Sequence, residues 1–150
     1  MTIPEEILLS VRFELGLATR VELQDLVDRR LLEPGRPSET LLELATPGDM
    51  PPDDLAARLL ALAGLTLDDR VPPMQVVVVA ELLERGDVSL DHAVAYLCVR
   101  VAAFLEADLA ARCGALDDML YLARNHTWGS EAKVREELQA LAEACRESLL

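Results

Sequence analysis

The chain has few aromatic residues, and this scarcity limits the folds that it can adopt. Phe, Tyr and Trp make up 3% of 150 residues, whereas 51% of the residues are hydrophobic. The core must therefore be built mainly of Leu, Val and Ala, which is typical of helix packing rather than of a β-sandwich. A chain of this length buries roughly 70% of its unfolded surface. We expect one all-α domain over residues 1–150 that folds without disulfide bonds.

The chain also lacks the common motifs of catalysis and metal binding. Cys98, Cys113 and Cys145 form no CxxC pair, which argues against a zinc knuckle or a redox motif, and their positions predict small buried hydrophobic side chains. No GxxxxGK[ST], GxGxxG, GxSxG or HExxH pattern occurs. We therefore predict a protein that is not an enzyme, with no catalytic residue, no cofactor and no metal ligand.

Positive charge is scarce as well. Twenty-seven acidic residues against fourteen basic ones give a net charge of −13, and Arg29 and Arg30 form the only basic cluster. Such a surface repels phosphate backbones and anionic lipid, so we expect neither a nucleic-acid nor a membrane partner. A basic protein partner is compatible with the charge, and so is acidity that serves solubility alone. No signal-peptide pattern or apolar run of membrane-spanning length is present, which predicts a cytoplasmic location.

The most apolar part of the chain is residues 74–109, around which the other helices are predicted to pack. Apolar residues recur there at helical spacing, Gly86 stands where a helix C-cap belongs, and Ser89 can cap the next helix. This pattern predicts two helices joined by a tight turn. The alternative is a strand at residues 76–79, because four consecutive valines favour a pleated surface.

An internal match favours the helix. Residues 13–19 align without gaps with residues 83–89, and residues 52–63 align with residues 131–142. We therefore predict about eight helices in two tandem four-helix units, residues 1–65 and 72–150, arranged as an αα-hairpin repeat or a helical bundle. Chance is the alternative explanation of the match, because Leu, Ala and Glu dominate both halves.

Capping residues and glycines predict the limits of individual helices. Thr19, Ser38 and Ser130 are expected at helix N-termini, and Thr2 is expected to cap a first helix that begins at Pro4. The predicted ranges are 4–15, 20–32, a short helix after residue 38, 52–63, a helix before residue 86, an unbroken helix at 90–112, a seventh helix after residue 114, and a last helix from residue 130 to the C-terminus. Residues 65–73 are predicted to be a connector without continuous helix, because they contain Pro72 and Pro73.

The strongest candidate site is the loop that contains Asn125, His126 and Trp128. It combines the only Trp with one of two His residues, and loops often carry function. In the structural alternative, Trp128 fills a seam between packed helices. His92 is expected to be a solvated residue in the first turn of its helix. The paired aspartates at 53–54, 68–69 and 117–118 are expected at helix N-termini, where the helix dipole favours negative charge, rather than as metal ligands.

A helix–Gly–Thr/Ser–helix pattern extends over residues 11–19 followed by residues 23–28, and it occurs again at residues 83–93. In this pattern the chain resembles small helical bacterial immunity proteins of polymorphic toxin systems, and it is similar to αα-repeat proteins of the HEAT kind. The first resemblance implies a stoichiometric inhibitor that binds a toxin domain, and it transfers no functional residue.

Together these observations predict a non-enzymatic cytosolic module that binds a protein partner, as an immunity-type inhibitor or an adaptor. The alternative is a small helical enzyme or ligand-binding domain that uses the loop at residues 126–128. A large exposed apolar or acidic patch would favour the first, and a pocket with convergent polar groups would favour the second. The sequence leaves open whether the chain forms a homo-oligomer.

Overall fold

A computed structural model of the chain describes residues 2–65 and 70–150. Eight α-helices and no strands occur in these two ranges, which confirms the predicted all-α class. The chain divides into two compact units on either side of the undescribed residues. We call the described residues 2–65 the N-terminal unit and the described residues 70–150 the C-terminal unit.

The N-terminal unit contains four helices. The first packs against the fourth, the second against the third, and the third against the fourth. Their apolar faces meet in one core, which includes Phe13, Leu26, Leu44 and Leu59. The helices are α1 (Glu5–Glu14), α2 (Arg20–Leu31), α3 (Glu39–Ala45) and α4 (Pro52–Leu62).

Local sequence determines where these helices begin. The Thr19 hydroxyl accepts a hydrogen bond from the backbone N–H of Glu22 at 3.3 Å, and the Ser38 hydroxyl accepts one from Leu41 at 3.1 Å, as predicted. The expectation for Thr2 was wrong. Pro4 is the N-cap residue of α1, and the first turn carries acidic side chains that suit the helix dipole.

The C-terminal unit also contains four α-helices, but one connection within it is irregular. The first of these helices packs against the last, and the third packs against the last as well. They are α5 (Val71–Glu84), α6 (Leu90–Tyr96), α7 (Ala107–Arg124) and α8 (Glu131–Ser148), with a π-helical segment at Leu97–Val101 and a 3₁₀ turn at Ala102–Phe104 between α6 and α7.

Helix α5 includes the valines at residues 76–79, so the alternative of a strand there was wrong. Every residue from 71 to 80 is buried, and burial on all faces explains why the helix has no polar stripe. Contrary to the prediction, Pro72 and Pro73 do not interrupt the helix. They lie in the first turn of α5, where a missing N–H costs nothing. The remainder of the predicted connector includes residues 66–69, which lie outside the described chain.

The prediction of an unbroken helix at 90–112 was wrong. After α6 the backbone widens into the π-helical segment, tightens into the 3₁₀ turn, and becomes extended at Leu105 (ψ 157°). This path keeps Leu97 and Val101 fully buried, while Phe104 is 50% exposed. Tertiary packing of the two buried residues thus prevails over the local preference for a continuous helix.

The seventh helix also differs from its prediction. Gly114 does not precede α7 but lies inside it, and α7 begins seven residues earlier at Ala107. Asp117 and Asp118 consequently lie in the middle of an exposed helix face, not at an N-terminus as expected. Asp53 and Asp54 do lie in the first turn of α4, and the pair at 68–69 is outside the described residues.

Within residues 2–65 and 70–150, none of the helices is both long enough and apolar enough to cross a lipid bilayer.

Candidate functional site

The candidate loop connects α7 to α8 and has defined ends. α7 ends at Arg124, and the Ser130 hydroxyl accepts the backbone N–H of Lys133 at 3.2 Å, which confirms the predicted cap of α8. The loop therefore spans only residues 125–130, and its backbone is tied to both helices. Asn125, His126 and Trp128 lie together in it as the sequence requires, but they have different roles.

His126 adopts a backbone conformation that normally requires glycine. Its φ is 54°, and it is the only non-glycine residue with positive φ among the residues described here. Two hydrogen bonds close the end of α7: His126 N–H to Ala123 O at 3.2 Å and Thr127 N–H to Leu122 O at 3.0 Å. These are the bonds of a Schellman motif, and they place His126 at its left-handed position.

Glycine occupies the corresponding position at other helix ends. Gly16 ends α1 with φ 74°, Gly64 follows α4 with φ 73°, and Gly86 follows α5 with φ 78°. Each of these ends is closed by the same pair of backbone hydrogen bonds. A histidine is tolerated in this region at a cost of about 1 kcal/mol relative to glycine. Strained residues of this kind are concentrated at functional sites, which makes His126 a candidate.

Trp128 does not fill a helix seam, since its side chain is 58% exposed. Tyr121, in the last two turns of α7, is 68% exposed. Two large aromatic side chains are therefore open to solvent at one end of the C-terminal unit. Aromatic side chains with polar tips are enriched at protein interfaces because they bury a large area and still satisfy one hydrogen bond.

Asn125 has a structural role in the loop. Its side-chain Nδ2 donates to the carbonyl oxygen of Tyr121 at 2.8 Å, which also accepts the backbone N–H of Asn125 at 3.1 Å. The Thr127 hydroxyl in turn donates to the Asn125 carbonyl oxygen at 3.4 Å. These contacts stabilise the helix end, so His126 and Trp128 remain as the loop residues suited to contact a ligand or partner.

Ion pairs fix the base of the loop. The Arg124 guanidinium contacts the Asp91 carboxylate at 3.1 Å and also pairs with Glu131, so one cation joins α6, α7 and α8. Hydrogen bonds to Asp91 and Glu131 raise the pKa of Arg124 further above its ordinary value. Because all three side chains are about half exposed, the pairs orient the loop more than they stabilise the fold.

His92 is exposed in the first turn of α6, as expected, and its backbone N–H donates to the Ser89 hydroxyl at 3.2 Å. Over the described parts of the chain, no group of three or more His, Cys, Asp or Glu side chains is arranged to hold a metal ion. The geometry around the loop thus suits aromatic and hydrogen-bonding contacts with the surface of another molecule.

Two clefts occur in the N-terminal unit. One, of about 380 Å³, lies beside the turn after α2 and is lined by charged and backbone groups that include Glu6, Arg30 and Arg36. The other, of about 250 Å³, is a groove between α1 and α2. Arg30 already binds Glu5, Glu6 and Glu33, so its charge is neutralised within the protein.

Tyr121 was missed by the sequence analysis, although a signal for it was present. The apolar stripe of α7 includes Leu116, Leu120 and Ala123, and these residues are buried. Tyr121 is one position off that stripe, which places it on the solvent side of the helix. The exposure of an aromatic residue so close to Trp128 could have been predicted from this spacing.

Comparison of this chain with protein-family models, with curated proteins and with solved structures finds no match.

Proposed function

We propose that the chain is a non-enzymatic module that binds a protein partner, and that the surface around Trp128 and Tyr121 makes the contact. The observation that carries this proposal is the exposure of both aromatic side chains beside a loop held by ion pairs. A rigid base and exposed aromatic anchors are the features that give a small interface most of its affinity. The strained backbone at His126 supports the same location.

The charge of the chain supports a basic partner. A net charge of −13 speeds the approach of a positively charged protein and repels nucleic acid and anionic membranes. A cytoplasmic location accords with the free thiols, because disulfides are rare in that compartment. The resemblance to immunity proteins adds the more specific proposal that the module is a stoichiometric inhibitor or adaptor.

The test is quantitative affinity capture from the native lysate with the wild-type chain and two variants. Trp128→Ser removes the proposed anchor, and Leu32→Ser removes another exposed apolar residue, 86% exposed, from the N-terminal unit. We expect a partner at a fixed ratio on the wild type and on Leu32→Ser. With purified partner, Trp128→Ser should lose about 2 kcal/mol or more of binding free energy, as interface anchors do.

Equal capture by all three proteins would contradict the location of the contact. If no protein is retained but a small molecule from the lysate co-purifies and is lost in His126→Ala, the alternative of a ligand-binding domain is favoured. Binding kinetics with the purified partner give a further test. Raising the salt from about 0.05 to 0.5 M should slow association several-fold and change dissociation less, because charge attraction acts chiefly on the approach.

A further inference from the structure

Two of the three cysteines are in contact, although they are 15 residues apart in sequence. The Cys98 thiol donates a hydrogen bond to the carbonyl oxygen of Cys113, with 3.5 Å between Sγ and O. The π-helical segment also packs directly against α7, so the two cysteines lie in adjoining parts of the fold. The contact arises because the chain reverses between the π-helical segment, which carries Cys98, and α7, which carries Cys113.

The two thiols differ in access to solvent. Cys98 is partly exposed, and Val99 beside it is 80% exposed, so a small molecule can reach this part of the π-helical segment. Cys113 is fully buried. The pair therefore consists of an outer sulfur that a solute can reach and an inner sulfur that only its neighbour can reach, an arrangement found at redox-sensing cysteines.

The two sulfurs also differ in acidity. The pKa of Cys98 is lowered from 9.0, chiefly because Cys113 donates a hydrogen bond to its thiolate, with a smaller contribution from the backbone of Asp117; the carboxylates of Asp117 and Asp118 and partial burial oppose this. The same hydrogen bond, burial, the charge of Cys98 and, least, the charge of Cys145 raise the pKa of Cys113. Cys98 is thus the group that ionises and the better nucleophile.

We propose that Cys98 and Cys113 form a reversible oxidation site that reacts with hydroperoxides, with Cys98 as the attacking thiolate and Cys113 as the resolving thiol. This site is distinct from the proposed partner surface and does not depend on it. The free thiols of the structure are the reduced state. The oxidised state contains a Cys98–Cys113 disulfide that joins the π-helical segment to α7.

In the first step the Cys98 sulfur attacks one oxygen of the hydroperoxide. An S–O bond forms, the O–O bond breaks, and the leaving oxygen takes a proton as water or an alcohol, so Cys98 is oxidised to a sulfenic acid and the peroxide is reduced. In the second step the Cys113 sulfur attacks the Cys98 sulfur. The S–S bond forms, the S–O bond breaks, and hydroxide leaves as water with the proton of Cys113.

The second step is favoured by the first. Part of the high pKa of Cys113 comes from the negative charge of the Cys98 thiolate. A sulfenic acid is neutral, so this charge disappears once Cys98 has reacted and Cys113 loses its proton more readily. A dithiol reductant then reduces the Cys98–Cys113 disulfide by supplying two electrons and two protons, which restores both thiols and leaves the reductant as a disulfide.

Cys145 provides a matched control. It is fully buried on α8, and burial raises its pKa to about 11. It has the same chemistry as Cys113 and the same burial, and its charge adds to the raised pKa of Cys113. Among the described residues, however, no hydrogen bond joins Cys145 to Cys98, whereas Cys98 does contact Cys113. The proposal therefore predicts that replacing Cys145 leaves the reaction unchanged.

The experiment treats the reduced protein with hydrogen peroxide and follows thiol loss and intact mass. The wild type and Cys145→Ala should lose two hydrogen atoms, and peptide mapping without reductant should join residue 98 to residue 113. Cys98→Ser should lose thiols at least about tenfold more slowly, since the remaining thiols are buried and weakly acidic. Cys113→Ala should stop at a sulfenic acid that a dimedone probe traps on Cys98.

Dithiothreitol should restore the reduced mass of the wild type. Three results would overturn the proposal: no reaction of the folded wild type, a disulfide between Cys98 residues of two chains, or direct oxidation of Cys98 beyond the sulfenic acid. Mapping of the wild-type protein decides among these even if Cys113→Ala does not fold.

Discussion

The N-terminal and C-terminal units each contain four α-helices, with the first packed against the fourth, but they differ in regularity. Ion pairs connect helices in both units: Arg12 to Glu22 and Arg58 to Glu43 in the N-terminal unit, and Arg124 to Asp91 and Arg146 to Glu81 in the C-terminal unit. The C-terminal unit in addition contains a run of ten buried residues at 71–80, the π-helical segment, the strained histidine and the paired thiols.

This difference in regularity supports the location proposed for both sites. In the N-terminal unit, α1 and α4 end with glycine at the left-handed position, and all four helices are continuous. Departures from such local rules cost free energy and persist where the surrounding structure or a function maintains them. Both sites proposed for this chain lie in the C-terminal unit, where these departures occur.

Removing a fully buried leucine from each unit should give the largest effect. Leu59→Ala in α4 and Leu97→Ala in the π-helical segment should each lower the free energy of unfolding by about 2–5 kcal/mol, because each leaves a cavity. Leu59→Ala should cost more, since a regular helix relaxes less into a cavity than a π-helical turn. Urea denaturation measures both, and a larger loss for Leu97→Ala would contradict this contrast.

Replacing one buried polar residue in each unit should change the free energy of unfolding in opposite directions. Ser10 donates its hydroxyl to the carbonyl oxygen of Ala56 at 3.0 Å, whereas Gln75 Oε1 is buried and has no hydrogen-bond partner among the described residues. Ser10→Ala should cost about 1 kcal/mol, and Gln75→Met should stabilise by about 1–3 kcal/mol by removing an unpaired acceptor. Thermal denaturation can rank the variants. A destabilised Gln75→Met would show that the amide makes a contact that methionine cannot replace.

The helix ends provide a third comparison. His126→Gly should stabilise the protein by about 1 kcal/mol because glycine adopts φ 54° without strain, and Gly16→Ala should destabilise it by a similar amount at φ 74°. Equilibrium unfolding in urea tests both. A loss of partner binding in the stabilised His126→Gly variant would show that the strain is retained for function. Unchanged or lower stability of that variant would refute the strain itself.

Removing an ion pair should change the free energy of unfolding least, and the size of this change should depend on pH. Hydrogen bonds and charge attraction from Arg29 and Arg30 lower the pKa of Glu5 below 4.5, so the native state favours its ionised form. The contribution is present above pH 4.5 and is lost as the pH falls through the lowered value. Because Glu5 is about half exposed, it should amount to less than about 1 kcal/mol. Glu5→Gln should remove this contribution to the pH dependence of stability. Urea unfolding of the wild type and the variant between pH 6 and about pH 3 measures the difference.

Features set by a few neighbouring residues were predictable from the sequence. The caps at Thr19, Ser38, Ser89 and Ser130 were all found, because a hydroxyl three residues before a free N–H satisfies it wherever the helix packs. The candidate loop was also predicted, because the Ser130 cap marks where it ends and α8 begins. The break after α6 could not be read from the sequence, because it depends on which buried side chains the rest of the unit requires.

The features of the candidate sites that the sequence did not predict depend on contacts between distant residues or on backbone conformation. Cys98 and Cys113 meet only because of that break, so their helical spacing alone predicted two unrelated buried thiols. The left-handed backbone of His126 follows from the end of α7 at Arg124, which the sequence placed correctly without indicating φ. The exposure of Trp128 depended on whether neighbouring helices would cover it, and no local pattern decides that.

The burial of residues 71–80 in α5 also has a consequence for the unfolded chain. Residues 76–79 are four valines in a segment with little charge, which is the composition of strands that self-associate into cross-β aggregates. In the native state this segment is helical and covered, so its tendency to form strands has no effect. When α5 detaches, Glu81 and Glu84 are the nearest charges that oppose stacking of one chain on another. The rate at which α5 opens therefore sets how long the protein persists at high concentration before it aggregates.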